Sequence, residues 1–377
     1  MAGAAGPNTA ESGLVFAYDL GNTLTSYIGE PTTNEANTNY SRTIQFHNQG
    51  TYGNAGYILD APERGPDWKK IIVTDRGNNF RIAQFPYISQ NYGTTKVYSV
   101  EYDFGGTSGY FIYGDGSSGF GVLQDNGKRV TALFTPPSAG SWSEALFLGN
   151  NTPASGIYDI IYYRNYQVEV NSHPTQFTPS SRSATQGLLP LVNNSTIDIT
   201  NVSFNSNAEM IFDGTNDTIS VNSYPAIELV DNVSVEYVYK RLSTNPILDV
   251  IANKYHSTGW ELFCTTANTF ALAGRNGDGT YYSTSNAAYT MQNNQYYHLV
   301  AIKEGLSWRL YVNGELYSYL TANTVGTWSN NGILQIGGEG NGYYPNMELP
   351  ILKIYNQVLT ALEIQQNFQA LRYRFGI

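Results

Sequence analysis

One cysteine, Cys264, stands in 377 residues, so no internal disulfide can form, a usage that fits assembly in a reducing cytoplasm. Charge is scarce as well. Asp, Glu, Lys and Arg together make up 13% of the chain, about half of the roughly 25% usual in soluble domains. The surface must therefore be polar but mostly uncharged, which suits a protein packed into a large assembly or exposed outside a cell. Positive charge is the scarcer sign: 20 Lys and Arg against 30 Asp and Glu leave a formal net charge of −10. No basic stripe interrupts it, so nucleic acid is excluded as a partner, because that affinity comes largely from Lys and Arg neutralising phosphates. No apolar run reaches the roughly 18 residues a spanning helix needs, which excludes membrane insertion by helices. The opening MAGAAGPNTAESG has neither a basic n-region nor an apolar h-region, and the general secretory route is not expected. Residues 1–12 read as a small-residue arm that becomes ordered by docking on a neighbour. Asn-x-Ser/Thr triplets recur, among them those beginning at Asn194, Asn201, Asn216 and Asn232; in so Asn-rich a chain, chance accounts for them.

What is abundant is tyrosine (31) and glycine (37). The length exceeds that of one ordinary domain, and two are expected. Nearly everywhere the apolar period is two, as in Val97–Tyr102, Ile157–Tyr162 and Val233–Val238, with Asn-Gly, Asp-Gly and Gly-Gly punctuation at short intervals. That pattern predicts an all-β protein built of antiparallel β-sandwiches. In YYHLVAIKEGLSWRLYVNGELYSYL (296–320), Leu299–Ile302 is one strand, Glu304–Gly305 turns the chain, Trp308–Val312 returns, and Asn313–Gly314 turns it again. Asn-Gly favours a type I′ turn because both central residues need positive φ. Trp308, Tyr311 and Tyr317 alternate along these strands and read as packing residues of the wall.

One short C-terminal α-helix is expected. Thr360 and Glu363 form a capping box, Leu359 and Ile364 occupy the positions of a hydrophobic staple, and Ile364, Phe368 and Leu371 line one face, which should lie against a sheet. Residues 171–187, with two prolines and a Ser/Thr cluster, read as a connection.

These residues carry a resemblance. AEMIFDGTNDTISV (208–221), the 296–318 hairpin and ILQIGGEGNGYYPNMELPILKIYNQVLTALEIQQNF (333–368) resemble, in order, the opening strand, central hairpin and closing strands of the laminin-G-like and concanavalin-A-like lectin sandwiches. YPNMELPILKIYN departs from the acidic run usual there. GPNTAESGLVFAYDLGNTLTSYIGEPTTN (6–34) is similar to the start of tail-fibre and other structural proteins of tailed bacteriophages, and RYRFGI (372–377) is also typical of that set. IIYYRNYQVEVNSHPTQFTPSSRS (160–183) resembles the last strands of a carbohydrate-binding-module-like jelly roll found in the same proteins. The resemblance implies a jelly roll at 31–182 inserted into a lectin-like sandwich made of 13–30 and 187–377. Slow growth of loop-closure cost with insert length makes this tolerable. The rival arrangement is two sequential domains, with 13–30 as an edge strand of the first.

Glycoside hydrolysis needs two carboxylates facing each other across the substrate. Glu101–Tyr102–Asp103 is the nearest approach to the usual Glu-x-Asp-x-Glu strand and no second Glu follows; an enzyme is not expected. His47, His173, His256 and His298 show no metal-hydrolase spacing and no Gly-x-Ser-x-Gly elbow occurs. His298 reads as structural, its ring satisfying a strand-end carbonyl. No cofactor is expected. The resembled folds often hold Ca²⁺, for which Asp213, Asn216 and Asp217 give oxygens on one turn and Asn276 and Asp278 on another, although Asp and Asn in tight turns usually bond their own backbone. Glycan binding would use exposed aromatic faces with nearby polar groups, and the candidates are Trp260, Arg275, Asp278, Tyr281, Tyr282, Tyr343 and Tyr344, on loops that could converge at one end of the lectin-like sandwich. The expected function is that of a non-enzymatic structural protein on a bacteriophage virion surface, a fibre, tail or capsid-decoration component assembled in the host cytoplasm. Its partners would be other virion proteins, further copies of itself with a trimer as first choice, and a host glycan. A dedicated glycan-binding adhesin is the alternative, and a polysaccharide depolymerase a more distant one.

Overall fold

The computed structural model describes the chain apart from residues 1–8, 36–42, 49–50, 74–82, 85–87, 91–93, 104–109, 114–120, 126–127, 136–141, 145, 150–159, 230, 246, 256–257, 276–278, 285–290, 323–327, 329–330 and 340–341. It is an all-β structure of antiparallel sheets with a C-terminal helix. The chain divides into two compact units: residues 1–31, 183–205 and 209–377 form one, and residues 32–182 with 206–208 form the other.

In the first unit, two sheets stack on one core. One has the strand order Ser203–Phe204, Met210–Asp213, Asn346–Tyr355, Asn232–Ser243, Tyr296–Glu304, Ser307–Val312, Glu315–Thr321, with Leu14–Asp19 also paired to Asn346–Tyr355. The other runs Ile197–Asn201, Thr218–Val221, Leu334–Ile336, Leu248–Tyr255, Gly259–Thr265, Phe270–Arg275, Tyr281–Ser283. Alternation decides what each strand buries: Val233, Val235 and Tyr237 from the first sheet meet Leu262, Leu272 and Ile336 from the second. Trp308 lies in that core, its ring 4.9 Å edge-on from Trp328. Tyr317 packs against the same core, whereas Tyr311 faces the opposite side of its sheet.

The hairpins form where the residue types demand. Asn313 and Gly314 have φ of 50° and 85° between paired Val312 and Glu315, the double positive φ of a type I′ turn. The preceding turn falls one residue later than expected, on Gly305–Leu306, since Glu304 still pairs with Ser307. Helix Ala361–Phe375 begins at Thr360, whose hydroxyl accepts from Glu363 N at 3.2 Å while Thr360 N donates to the Glu363 carboxylate at 2.8 Å. It ends on Gly376 at φ 69°, the left-handed position that glycine occupies without strain. Leu359 and Ile364 pack with Val300 and Ile302 on the outer side of the first sheet.

Beneath this helix lies a buried polar network. Glu236 accepts from Tyr355 Oη at 2.8 Å and Asn367 Nδ2 at 2.9 Å, and lies 2.8 Å from His298 Nε2 and 3.6 Å from Lys353 Nζ. His298 thus bonds a carboxylate, not the strand-end carbonyl expected of it, because its ring faces the helix-covered side where Glu236 is the diagonal neighbour. The N-terminal arm departs from expectation too. Ala10 N donates to Asn367 Oδ1 at 2.7 Å, Tyr355 Oη lies 3.2 Å from Ala10 O, and Ser12 Oγ donates to Gln357. Residues 9–12 therefore dock on their own chain; residues 1–8 of the arm lie outside the described residues.

In the second unit, a seven-stranded sheet has the order Gly121–Asp125, Arg129–Phe134, Lys96–Asp103, Ile160–Glu169, Lys69–Val73, Thr51–Asp60, Thr43–Asn48, with smaller antiparallel sheets beside it in the chain. The run Gln167–Val168–Glu169 and its Pro-Thr continuation form a single hydrogen-bonded device. Glu169 accepts from Thr175 N at 2.8 Å, Gln167 accepts from Thr178 N at 2.8 Å, and Arg182 donates to Gln176 O at 3.0 Å. Two side chains on a strand thereby satisfy a backbone segment that has no ladder of its own.

Candidate functional site

The second sheet of the first unit has one face in the core and one face outward. Trp260, Leu262 and Cys264 point inward, so Glu261 and Phe263 point outward; Leu334 and Ile336 point inward, so Gln335 points outward. Cross-strand register then places Gln335, Asn253, Glu261, Ala273 and Ser283 in one row across neighbouring strands of the outer face. On one side of that row the register sets Gly259, Arg275 and Tyr281 together. On the other side Val250, Phe263 and Ala271 make an apolar patch.

Residues 337–339 and 342–345 are fastened to this face. Asn253 Nδ2 donates to Gly338 O at 3.2 Å, Val250 N donates to Tyr343 O at 3.3 Å, and Asn245 Nδ2 donates to Tyr344 O at 2.9 Å. Gly338 sits at φ 134°, and a Cβ there would come within 2.6 Å of the Tyr344 ring, so glycine is required on both counts. Tyr343 packs against the patch of Val250, Phe263, Ala271 and Ala273.

Glu261 is half-buried, and Tyr281 Oη donates to its carboxylate at 2.9 Å. Burial pushes the Glu261 carboxyl upward, Tyr281 pulls it down, the negative charge of Glu339 raises it again and Arg275 lowers it; the net direction is up. Arg275 lies 5.6 Å from the centroid of the Tyr281 ring and donates to Gly279 O at 2.9 Å. The face thus offers an exposed phenol, a planar cation, a half-buried carboxylate of raised affinity for protons and the half-buried Gln335 amide, while Asn253 and the apolar patch are buried, the patch against Tyr343. Groups of this kind can exchange hydrogen bonds with the hydroxyls of a polyhydroxylated ligand.

Of the residues singled out from sequence, Arg275, Tyr281 and Tyr343 come together on this face. Tyr344 is half-buried at its margin, against Gly338. Trp260 is a correction: it is fully buried and presents no face to a ligand, because it sits one residue out of phase with Glu261. Tyr282 is likewise on the core side, its ring 5.7 Å from that of Trp308. Asp278 and Asn276 lie outside the described residues. Glu261, Asn253, Gln335 and Glu339 were not singled out. The available signal was the lone acidic residue in the apolar run GWELFC, whose alternation already sets its direction.

The Asp213–Asp217 turn uses its oxygens internally. Asp217 accepts from Asp213 N at 2.6 Å and from Ser203 Oγ at 2.9 Å, and Asp213 accepts from Thr215 N at 2.7 Å, while Asn216 is exposed. Burial raises the Asp217 carboxyl, the two donors lower it, and the neighbouring Asp213 raises it. Among the described residues no group of three or more His, Cys, Asp or Glu is arranged to hold a metal ion. In the second unit, Glu101 accepts from Arg164 Nε at 2.7 Å and Asn165 Nδ2 at 2.9 Å.

Residues 213–365, less than half of the chain, match the family described as the concanavalin A-like lectin/glucanases superfamily. The interval contains all of the outer-face residues except those of the first strand. No curated protein matches the sequence. Solved structures similar to the chain include the binding domain of Paraclostridial Mosquitocidal Protein 1 (16% identity, TM-score 0.43, 48% of this chain and 49% of that one). They also include the botulinum neurotoxin serotype D ligand-binding domain in complex with N-acetylneuraminic acid (18% identity, TM-score 0.41, 50% and 49%). A third is the binding domain of botulinum neurotoxin DC in complex with rat synaptotagmin II (13% identity, TM-score 0.42, 51% and 51%). The chain thus aligns with about half the length of each.

Proposed function

We propose that the chain is a non-enzymatic structural protein of a bacteriophage particle, displayed at the virion surface, whose lectin-like unit binds host glycan on the outer face of its second sheet. The observation that carries the binding role is the gathering of Tyr281 and Arg275 beside Glu261 on one face, with Tyr343 further along that same face. The family match over 213–365 supports it. The virion reading is supported by the resemblance at 6–34, 160–183 and 372–377 and by a surface poor in charge, fitted to contact with other virion proteins and with further copies of the chain, for which a trimer is the first choice. A glycan array probed with the intact protein and with Tyr281→Ala tests the binding role. Sugar binding by the former, lost in the latter with an unchanged melting temperature, is expected; no binding to any sugar overturns it. Density for the chain in imaged particles tests the virion role, and its absence from purified virions overturns that part alone.

A further inference from the structure

The balance of charge on the outer face bears on which sugars it can take, an inference that rests on the glycan-binding reading above. Two carboxylates, Glu261 and Glu339, act on one another there, and Asp198 lies further along the same register row, reached through Ser220 and Gln335. The described cation of this face is Arg275, which is already engaged with the Tyr281 ring and with Gly279 O. Lys254, one residue beyond Asn253, turns to the opposite side of its strand, where its Nζ donates to Gly332 O at 2.9 Å and Ser223 Oγ at 3.1 Å. The described residues of the neighbouring segments, 258, 279–280, 284, 339 and 342–345, include no lysine or arginine, and Glu339 adds negative charge.

We propose that this face selects uncharged sugars, hexoses or N-acylhexosamines, and rejects sugars bearing a carboxylate such as uronates and sialates. An incoming anion would meet Glu261 within hydrogen-bonding range of its own oxygens. At an effective dielectric constant of about 20, two like charges some 5 Å apart repel enough to weaken binding roughly two- to three-hundredfold, and partial screening by Arg275 and salt reduces that to at least about tenfold. Uncharged hydroxyls, in contrast, donate to the same carboxylate and gain from its partial burial. Rejection by like charge is a recurrent way of obtaining specificity that attraction alone does not supply.

The test uses the full chain on an array of matched oligosaccharides, each neutral member paired with its uronic counterpart, for example galactose with galacturonate oligomers and glucose with glucuronate oligomers. Calorimetry follows on the best pair at low and physiological salt. The neutral member is expected to bind at least about tenfold more tightly at low salt, with a smaller gap at higher salt, and Glu339→Gln is expected to narrow the gap. If the carboxylated member binds as well or better, and Tyr281→Ala still abolishes binding, the selectivity is refuted while the site stands. If no sugar of either kind binds, or binding ignores Tyr281→Ala, the glycan reading of this face falls, and the selectivity with it.

Discussion

Glu236→Gln tests the physical account of the helix-covered face. The carboxylate is fully buried, with Tyr355, Asn367, His298 and Lys353 around it. Burial alone would raise its carboxyl, but Lys353, His298 and Tyr355 outweigh burial and hold it at about 2 against an ordinary 4.5. At 1.36 kcal/mol per pH unit that difference is worth about 3 kcal/mol, in line with the roughly 3–5 kcal/mol lost when one member of a buried ionic pair is removed. A group whose folded value is depressed stabilises the fold above its unfolded value and loses that contribution as pH falls through the folded one. The stabilisation from Glu236 is therefore complete above about 4.5 and disappears on descending through about 2. Urea unfolding followed by the fluorescence of the buried Trp260, Trp308 and Trp328 should show the variant about 3 kcal/mol less stable at pH 7. The deficit should shrink steadily as the pH is lowered through that window. A variant within about 0.5 kcal/mol of the parent at pH 7, the range of an ordinary surface substitution, or a deficit that does not change with pH, would refute the reasoning.

Trp260→Ala should cost about 3–5 kcal/mol because it empties a fully buried site, yet leave the sugar affinity of the folded fraction unchanged in calorimetry below the melting transition; an affinity loss at constant melting temperature would return Trp260 to the binding face. Asp217→Ala should lower stability by about 1–3 kcal/mol, because Asp213 N and Ser203 Oγ lose their acceptor. Chelator added to the parent protein should leave its melting temperature unchanged, and a calcium-dependent rise in that temperature would show that the turn holds an ion after all.

How much could be read from the sequence depended on the range of the interaction. The Asn313–Gly314 turn and the Thr360–Glu363 capping box are determined within a few residues, where the local chemistry admits one solution. Strand periodicity likewise revealed the all-β class. Direction was harder. Trp260 and Glu261 are neighbours, and choosing which of them faces the core requires knowing the phase of the alternation, which the inward Leu262 and Cys264 set. Partnership across the fold was hardest of all. Glu236 and His298 are separated by 62 residues, and only the pairing of their strands brings them together. The same holds for Leu334–Ile336, which threads between Thr218–Val221 and Leu248–Tyr255 without any local signal naming its neighbours.

The pairing of Leu14–Asp19 with Ile351–Tyr355 has a consequence for biosynthesis. A nascent chain makes the first of these strands early and must hold it, apolar and without its ladder, until residue 355 has emerged. The described strands of the 32–182 unit find ladders among themselves long before that point. The order of maturation on the ribosome is thus written into the topology: the middle of the polypeptide can consolidate while its opening strand waits, and ribosome stalling late in translation would leave that strand exposed to aggregation.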